Sequence, residues 1–254
     1  MAIAPPPIPP ASSANTDMAT TYADHLRLPT LLDASRADAD EPHTALFMSV
    51  HQICELAFAA IQRRLVDAGA ALAECDGQTA VEMVHPLSSL MQTVVDQFKT
   101  LRKMSPAAFA TVRDEVGTAS GIQSAQWRRI EFTCGLRVRD DIETPGFTEQ
   151  ERAGLQHQLS LPSLNEQFAE FAAESGAEEN FRWAKAIRTD LLEFDAIVTR
   201  WRRAHVGIAH EFIGGEPGTA GTSGEEYLRS RADGRLFPGL DLPSHATDAP
   251  GAKR

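Results

Sequence analysis

Two histidines lie on apolar helical stripes, where an imidazole could bind a haem iron or another metal. One stripe repeats in steps of four and three residues and contains Phe47, His51, Cys54, Phe58, Ile61 and Leu65. The second repeats in the same way and contains Ile187, Leu191, Phe194, Val198, Trp201, His205, Ile208 and Phe212. For either histidine alone, the ordinary explanation is a core residue bonded to a backbone carbonyl or a carboxylate. Two of them, on the two best amphipathic helices, favour a haem or another planar ligand between helices.

Other metal sites are less well supported by the spacing of these residues. His51 and Glu55 are one helical turn apart and could share a metal ion, but a matching second pair, which a di-iron bundle needs, is missing. His210 follows His205 by five residues and points to another part of the helix surface. The sequence also has no CxxCH motif for covalent haem attachment.

Arg113 is the residue that could hold a substrate. It follows Phe109 by one helical turn and precedes a run of small residues, GTASGIQSAQ, which would allow close approach of the backbone. One interpretation is a surface arginine whose stem packs on apolar residues. The other is a bidentate clamp on a substrate carboxylate.

A segment rich in glycine and threonine, GGEPGTAGTSG, follows the helix of His205. It is not a phosphate-binding loop, because no lysine follows the glycines and no apolar strand precedes them.

Helices must position all of these residues. The sequence has no convincing alternating apolar run, whereas spacing of three and four predicts helices over residues 42–66, 79–102, 127–134, 163–173 and 178–213. Ser105 and Pro106 predict the start of another helix, and residues 140–154 a polar connection with a short helix. Ser163 and Glu166 fit a capping box. The predicted fold is an all-α helical bundle.

Composition narrows the classes of partner and the domain organisation. The net charge is −11 and the basic residues are scattered, so nucleic acid is not expected as a partner. No run approaches the roughly 18 apolar residues of a membrane span. Three cysteines without CxxC spacing fit reduced thiols in the cytoplasm. We expect unstructured tails at residues 1–19 and 241–254 and one domain over residues 20–240.

Three segments resemble, in the same order, signature blocks of the tryptophan 2,3-dioxygenase superfamily of haem-dependent aromatic oxygenases. They are FMSVHQICELAF, FATVRDEVGTASGIQSAQWRRIEF and WRRAHVGIAHEFIGGEPGTAGTSGEEYL. TYADHLRLPTLL, at residues 21–32, is similar to the N-terminal segment of that family, and RLFPGL is similar to its C-terminal end. The resemblance spans about residues 20–240 with a shortened middle, as in a divergent member.

This resemblance implies a helical fold, haem b, O2 as cosubstrate and a homotetramer, or at least a dimer. It makes His205 the proximal ligand of the haem iron and His51 the distal catalytic histidine beside the indole of the substrate. Arg113 matches the residue that binds the amino-acid carboxylate, and Thr219 the one near the ammonium group.

The remaining matched positions divide between the two ligands. The resemblance implies that the substrate also contacts Phe47, Phe109, Val116, Tyr22 and His25, the last two from a segment that in the family reaches into a neighbouring subunit. It assigns contacts with the cofactor to Phe98, Ser120, Gly121 and Trp201.

The sequence departs from the family pattern at several bulky positions. The usual GTGGSSG is GTAGTSG here, with Ala220 and Thr222. His25 replaces the second tyrosine of the N-terminal segment, and Ala57 stands where a tryptophan is common.

The expected function is insertion of oxygen from O2 at the indole C2–C3 bond of L-tryptophan or a substituted tryptophan, giving an N-formylkynurenine-type product. One alternative is a monooxygenase that forms a 2-oxindole or a hydroxylated aromatic amino acid in a natural-product pathway. A haem-binding sensor and a plain helical scaffold are the non-enzymatic alternatives. Arg113 and Thr219 argue against a sensor, because a sensor does not need to bind an amino acid.

Overall fold

The computed structural model describes residues 21–35, 41–174 and 178–240, which form helices and loops with no strand among them. The predicted tails, residues 1–19 and 241–254, lie outside the described residues. The chain divides into two compact units, with the boundary after residue 36. In the first unit, α1 (Tyr22–Leu26) and α2 (Leu28–Ser35) bury no residue. The side chains of Thr21 and Asp24 form a capping box at the start of α1.

The second unit contains the remaining described helices. They are α3 (Pro42–Ala73), α4 (Gly77–Val84), α5 (Leu87–Leu101), α6 (Pro106–Val116), α7 (Ala125–Cys134), α8 (Glu149–Ser160), α9 (Leu164–Ala173), α10 (Glu178–Phe212) and α11 (Glu225–Arg231). Short 3-10 helices occupy Gly121–Gln123, Arg139–Glu143 and Thr219–Gly221. The all-α prediction is therefore confirmed.

Two long helices, α3 and α10, organise the core of the second unit. Both pack against α4, α5, α6 and α9; α3 also packs against α7, and α10 against α11. Their apolar stripes face the core, where Ile61 and Leu65 of α3 and Ile187, Leu191 and Phe194 of α10 are fully buried. Burying a side chain of this size is worth about 1.5–3 kcal/mol, so each stripe fixes its helix firmly. The two predicted stripes thus position His51 and His205 on rigid elements.

By length and composition, α3 passes the test for a membrane-spanning helix, with a mean hydropathy of 1.5 over an 18-residue window. This is weak evidence, because the core helix of a protein in water passes the same test. Five other described helices pack against α3, and most of its buried apolar side chains belong to the main core.

The predicted helix over residues 79–102 is wrong, because it is two helices. Pro86 has no backbone N–H, and its ring would clash with the carbonyl of the preceding turn. Accordingly α4 ends at Val84 and α5 begins at Leu87. The break lets α5 bury its own stripe, which consists of Leu87, Met91, Val94, Phe98 and Leu101. In α3 no such residue intervenes, and the helix continues past the predicted end to Ala73.

Candidate functional site

A cavity opens in the second unit between α3, α5, α6, α7, α10 and α11, and the segment between α10 and α11 forms part of its wall. Eleven of the thirteen residues that the sequence marks as a site line it: Phe47, His51, Phe98, Phe109, Arg113, Val116, Ser120, Gly121, Trp201, His205 and Thr219. Tyr22 and His25 lie on α1 in the first unit, where both side chains are exposed. The eleven predicted residues that the cavity brings together come from four helices and two loops.

His205 lies on α10, one turn after Trp201. Its ring is 5.0 Å from that of Phe98, edge to face, and 6.2 Å from that of Trp201. Burial, with a smaller contribution from the neighbouring His51, lowers the pKa of His205 to about 4. The imidazole is therefore neutral at physiological pH, and among the described residues neither ring nitrogen has a hydrogen-bond partner. A neutral imidazole facing a cavity is the form that binds a metal.

His51 lies on α3 and faces the same cavity. Its Nδ1 is 2.8 Å from the carbonyl oxygen of Phe47. A carbonyl can only accept, so Nδ1 carries the proton. Burial lowers the pKa of His51, which keeps the ring neutral and leaves a lone pair on Nε2. His51 can therefore accept a hydrogen bond from a ligand N–H in the cavity.

Aromatic rings form much of the cavity wall. Phe109 of α6 stacks on Phe212 of α10 with ring centroids 4.8 Å apart, and its edge meets Phe47 at 6.4 Å. On the side of His205, Phe98 and Trp201 lie edge to face at 5.5 Å. A wall of this kind suits flat, apolar ligands such as an indole or a porphyrin.

Buried charges form one end of the cavity, and the sequence prediction included none of them. Glu131 of α7 accepts from Arg128 at 2.5 Å, from Nη2 of Arg202 at 2.7 Å and from Nε1 of Trp127 at 2.9 Å. Arg128 also lies 3.2 Å from the carboxylate of Asp141. The side chains of Arg128, Glu131, Asp141 and Arg202 are all at least nine-tenths buried. The sequence signal that could have revealed them is the pair Arg128 and Glu131, which lie three residues apart on α7, within WRRIEF.

Two donors at this end have no partner in the described structure. They are Nε of Arg128 and Nε1 of Trp201, both fully shielded from solvent. Leaving a buried donor unsatisfied costs about 1–3 kcal/mol, so such atoms call for an explanation. Arg231, which pairs with Asp141, adds a third cation to the group and gives it more positive than negative charge. This end of the cavity therefore suits an anionic group with acceptor oxygens.

Arg113 lies in the last turn of α6 and its side chain is 27% exposed. Nη1 donates to a carboxylate oxygen of Glu216 at 3.0 Å, and Nη2 donates to the carbonyl oxygen of Pro217 at 2.5 Å. Both acceptors belong to the segment after α10, so Arg113 links α6 to that segment across the mouth of the cavity. The sequence prediction did not include Glu216.

The segment after α10 needs glycine where it folds back on itself. Gly224 has a φ of +65°, and a Cβ there would lie 2.7 Å from the carbonyl oxygen of Glu216. Ala220 also has a positive φ, 54°, which costs an alanine roughly 1 kcal/mol or more. This is the position at which alanine replaces the glycine of the family pattern.

The chain matches known proteins over most of its length. The family model described as "Tryptophan 2,3-dioxygenase" matches residues 10–158 and 173–244. A protein named tryptophan 2,3-dioxygenase from a Nocardioides species is 33% identical, over 86% of this chain and 91% of the relative. Proteins of the same name from a Bradyrhizobium species and from Exiguobacterium sibiricum are 30% and 28% identical, each over 87% of this chain and 90% of the relative.

Proposed function

The chain belongs to the tryptophan 2,3-dioxygenase family, and from this we infer that it is a haem-dependent dioxygenase. It inserts both atoms of O2 at the indole C2–C3 bond of L-tryptophan or a substituted tryptophan, giving an N-formylkynurenine-type product. The observation that carries this inference is the shared cavity. It has a neutral imidazole on one helix, with no hydrogen-bond partner among the described residues, and a guanidinium on another. A haem sensor needs the first of these but not the second.

The residues around the cavity fit haem b. We propose that His205 binds the iron and that Phe98, Ser120, Gly121 and Trp201 contact the macrocycle. The unpartnered donors of Arg128 and Trp201, next to Arg202, fit the two carboxylates that haem b carries. Haem supplies the one-electron chemistry that lets O2 react with a closed-shell indole.

The side chains of the cavity contribute by positioning the substrate. We propose that the indole packs against Phe47, Phe109 and Val116, and that its N–H donates to Nε2 of His51. Arg113 then binds the carboxylate of the substrate and Thr219 lies near its ammonium group. Holding both ends of the amino acid fixes the indole C2–C3 bond in a reactive position, which is worth several kcal/mol of the barrier.

The product distinguishes this function from its alternatives. Haem-loaded protein mixed with L-tryptophan, ascorbate and O2 is expected to give a product heavier than tryptophan by about 32 mass units, or two oxygen atoms. Mass spectrometry measures it, with haem-free protein as the control. A gain of about 16 units would indicate a monooxygenase, and unchanged tryptophan would exclude both oxygenase activities.

We propose that the protein assembles with itself, as a homotetramer or at least a dimer, and that Tyr22 and His25 complete the site of a neighbouring copy. The exposed apolar side chains support this. On α1 and α2 they include Tyr22, 75% exposed, and Leu32, 55% exposed, although neither helix buries any residue. On α3, Leu46, Ile53 and Leu56 form a similar exposed row.

Deleting residues 1–30 tests this assembly. It removes α1 and the exposed Tyr22, so we expect the KM for tryptophan to rise and the mass of the assembly to fall. Steady-state kinetics and analytical ultracentrifugation measure the two effects. Deletion of the first 12 residues is the control and should change neither. A tetramer with unchanged kinetics after the longer deletion would contradict the proposal.

A further inference from the structure

The guanidinium of Arg113 is already bound to a carboxylate of the chain itself. One N–H of Nη1 donates to Glu216 and one of Nη2 to the carbonyl of Pro217, while Nε has no partner among the described residues. A carboxylate binds arginine best through two parallel N–H groups of the planar fork. With both terminal nitrogens engaged by residues 216 and 217, an incoming carboxylate meets a partly occupied donor set.

We propose that Glu216 is a specificity-determining residue, which competes with the carboxylate of the substrate for Arg113 and ties the segment 214–224 to α6 through that arginine while no substrate is bound. This inference rests on the proposed role of Arg113. We call the segment 214–224 the latch loop.

Glu216 and Arg113 differ in their exposure to solvent, and this difference allows a substrate carboxylate to displace Glu216. The side chain of Glu216 is 73% exposed, whereas that of Arg113 is 27% exposed and lines the cavity. Glu216 itself is not part of the cavity wall. When it leaves Arg113 its carboxylate is hydrated by water, and exposed ion pairs of this kind are weak, so little free energy is lost. The carboxylate that replaces it arrives from the cavity side, where water is scarcer and the pair with Arg113 is stronger.

The backbone of the latch loop holds it together as one unit, so the contacts of Arg113 act on the loop as a whole. Gly214 and Gly224, at its ends, both have positive φ, and Gly224 lies directly against the carbonyl of Glu216. Inside the loop the N–H of Gly218 donates to the carbonyl of Thr222 at 3.0 Å. The loop is therefore a compact unit with glycines at both ends, and the contacts of Arg113 with Glu216 and Pro217 tie it to α6.

This competition predicts different effects on the binding of L-tryptophan and of tryptamine, which share the indole ring. L-Tryptophan carries a carboxylate and can take the place of Glu216 on Arg113. Tryptamine has the same indole and ammonium groups but no carboxylate, so it cannot. Glu216 therefore raises the Kd for tryptophan slightly, because it must be displaced from Arg113. When tryptamine binds, Glu216 stays on Arg113 and the latch loop remains tied to α6.

Glu216→Gln tests the proposal, because it removes the charge and keeps the shape. Haem-loaded, full-length protein is titrated by calorimetry with L-tryptophan and with tryptamine. We expect the Kd for tryptophan to fall about two- to fivefold, the range of an exposed ion pair, and the Kd for tryptamine to stay unchanged. Amide hydrogen exchange of residues 214–224 without ligand should become faster.

Glu211→Gln is the matched control. Glu211 is also an exposed partner of an arginine, Arg102, at 3.1 Å, and neither residue lines the cavity. This variant should leave both dissociation constants and the exchange of the latch loop unchanged.

Three results would overturn the proposal. Tryptophan binding that is equal or weaker in Glu216→Gln excludes competition, and equal strengthening for tryptophan and tryptamine shows a general loosening of the loop. Unchanged hydrogen exchange of residues 214–224 in Glu216→Gln would show that Glu216 does not restrain the latch loop. Arg113→Leu separates these failures from that of the proposed function: if it also leaves tryptophan binding unchanged, Arg113 is not the carboxylate clamp at all.

Discussion

His205→Ala is expected to abolish stable haem binding while leaving the helical fold intact. The imidazole is neutral because burial lowers its pKa to about 4, and it faces the cavity without a hydrogen-bond partner among the described residues, so alanine removes the proposed iron ligand and little else. The stripe of α10 keeps its buried neighbours Trp201 and Ile208, which should hold the helix in place. Haem content and the Soret band measure the first effect, and far-ultraviolet circular dichroism the second.

His51→Ala is the matched control for this prediction. His51 is the other imidazole in the cavity, and its proposed role is to accept a hydrogen bond from the indole. The variant should therefore keep its haem and lower kcat or change the product. Full haem content in His205→Ala would refute the assignment of the iron ligand. Loss of haem in His51→Ala together with its retention in His205→Ala would reverse the two roles.

The long helices could be predicted because a single physical pattern governs them. A stripe in steps of four and three has only one way to be buried, so the faces of α3 and α10 that carry His51 and His205 follow from their apolar neighbours. The break at Pro86 was also readable from the sequence, since proline disfavours a helix interior. The spacing of the apolar residues continues across Pro86, and the prediction of one helix over residues 79–102 gave this spacing more weight than the proline.

The polar end of the cavity shows what spacing alone does not reveal. Arg128 and Glu131 are neighbours on α7, but Arg202 reaches Glu131 from a helix 71 residues away. The i, i+3 pair on α7 is a weak local signal, and nothing in the local sequence distinguishes Arg202 from the exposed Arg203, because only tertiary packing removes it from water. The same holds for Glu216, whose partner Arg113 lies 103 residues earlier. Eleven residues that line the cavity followed from stripes and family motifs, while the ion pairs at its polar end and at Arg113 did not.

Arg113→Leu is expected to raise the KM for L-tryptophan at least tenfold, or by about 1.4 kcal/mol of binding. Leucine keeps the apolar stem beside Phe109 and Val116 and removes every donor. A charge-assisted pair with a carboxylate in a partly buried site is worth more than this on its own. Part of that energy is spent on displacing Glu216, so the expected effect lies nearer the lower end of the range for buried pairs. Steady-state kinetics at saturating O2 measure it.

Indole supplies the test that separates recognition of the amino acid from damage to the pocket. It fills the same aromatic space but has no carboxylate, so its turnover should be nearly indifferent to Arg113→Leu. Arg102→Leu is a suitable control variant, because Arg102 is also paired with a glutamate, Glu211, and lies outside the cavity wall. It should leave the KM for tryptophan unchanged. If tryptophan and indole respond alike to Arg113→Leu, the substrate is not held as an amino acid, and the cavity serves an oxygenase of some other aromatic compound.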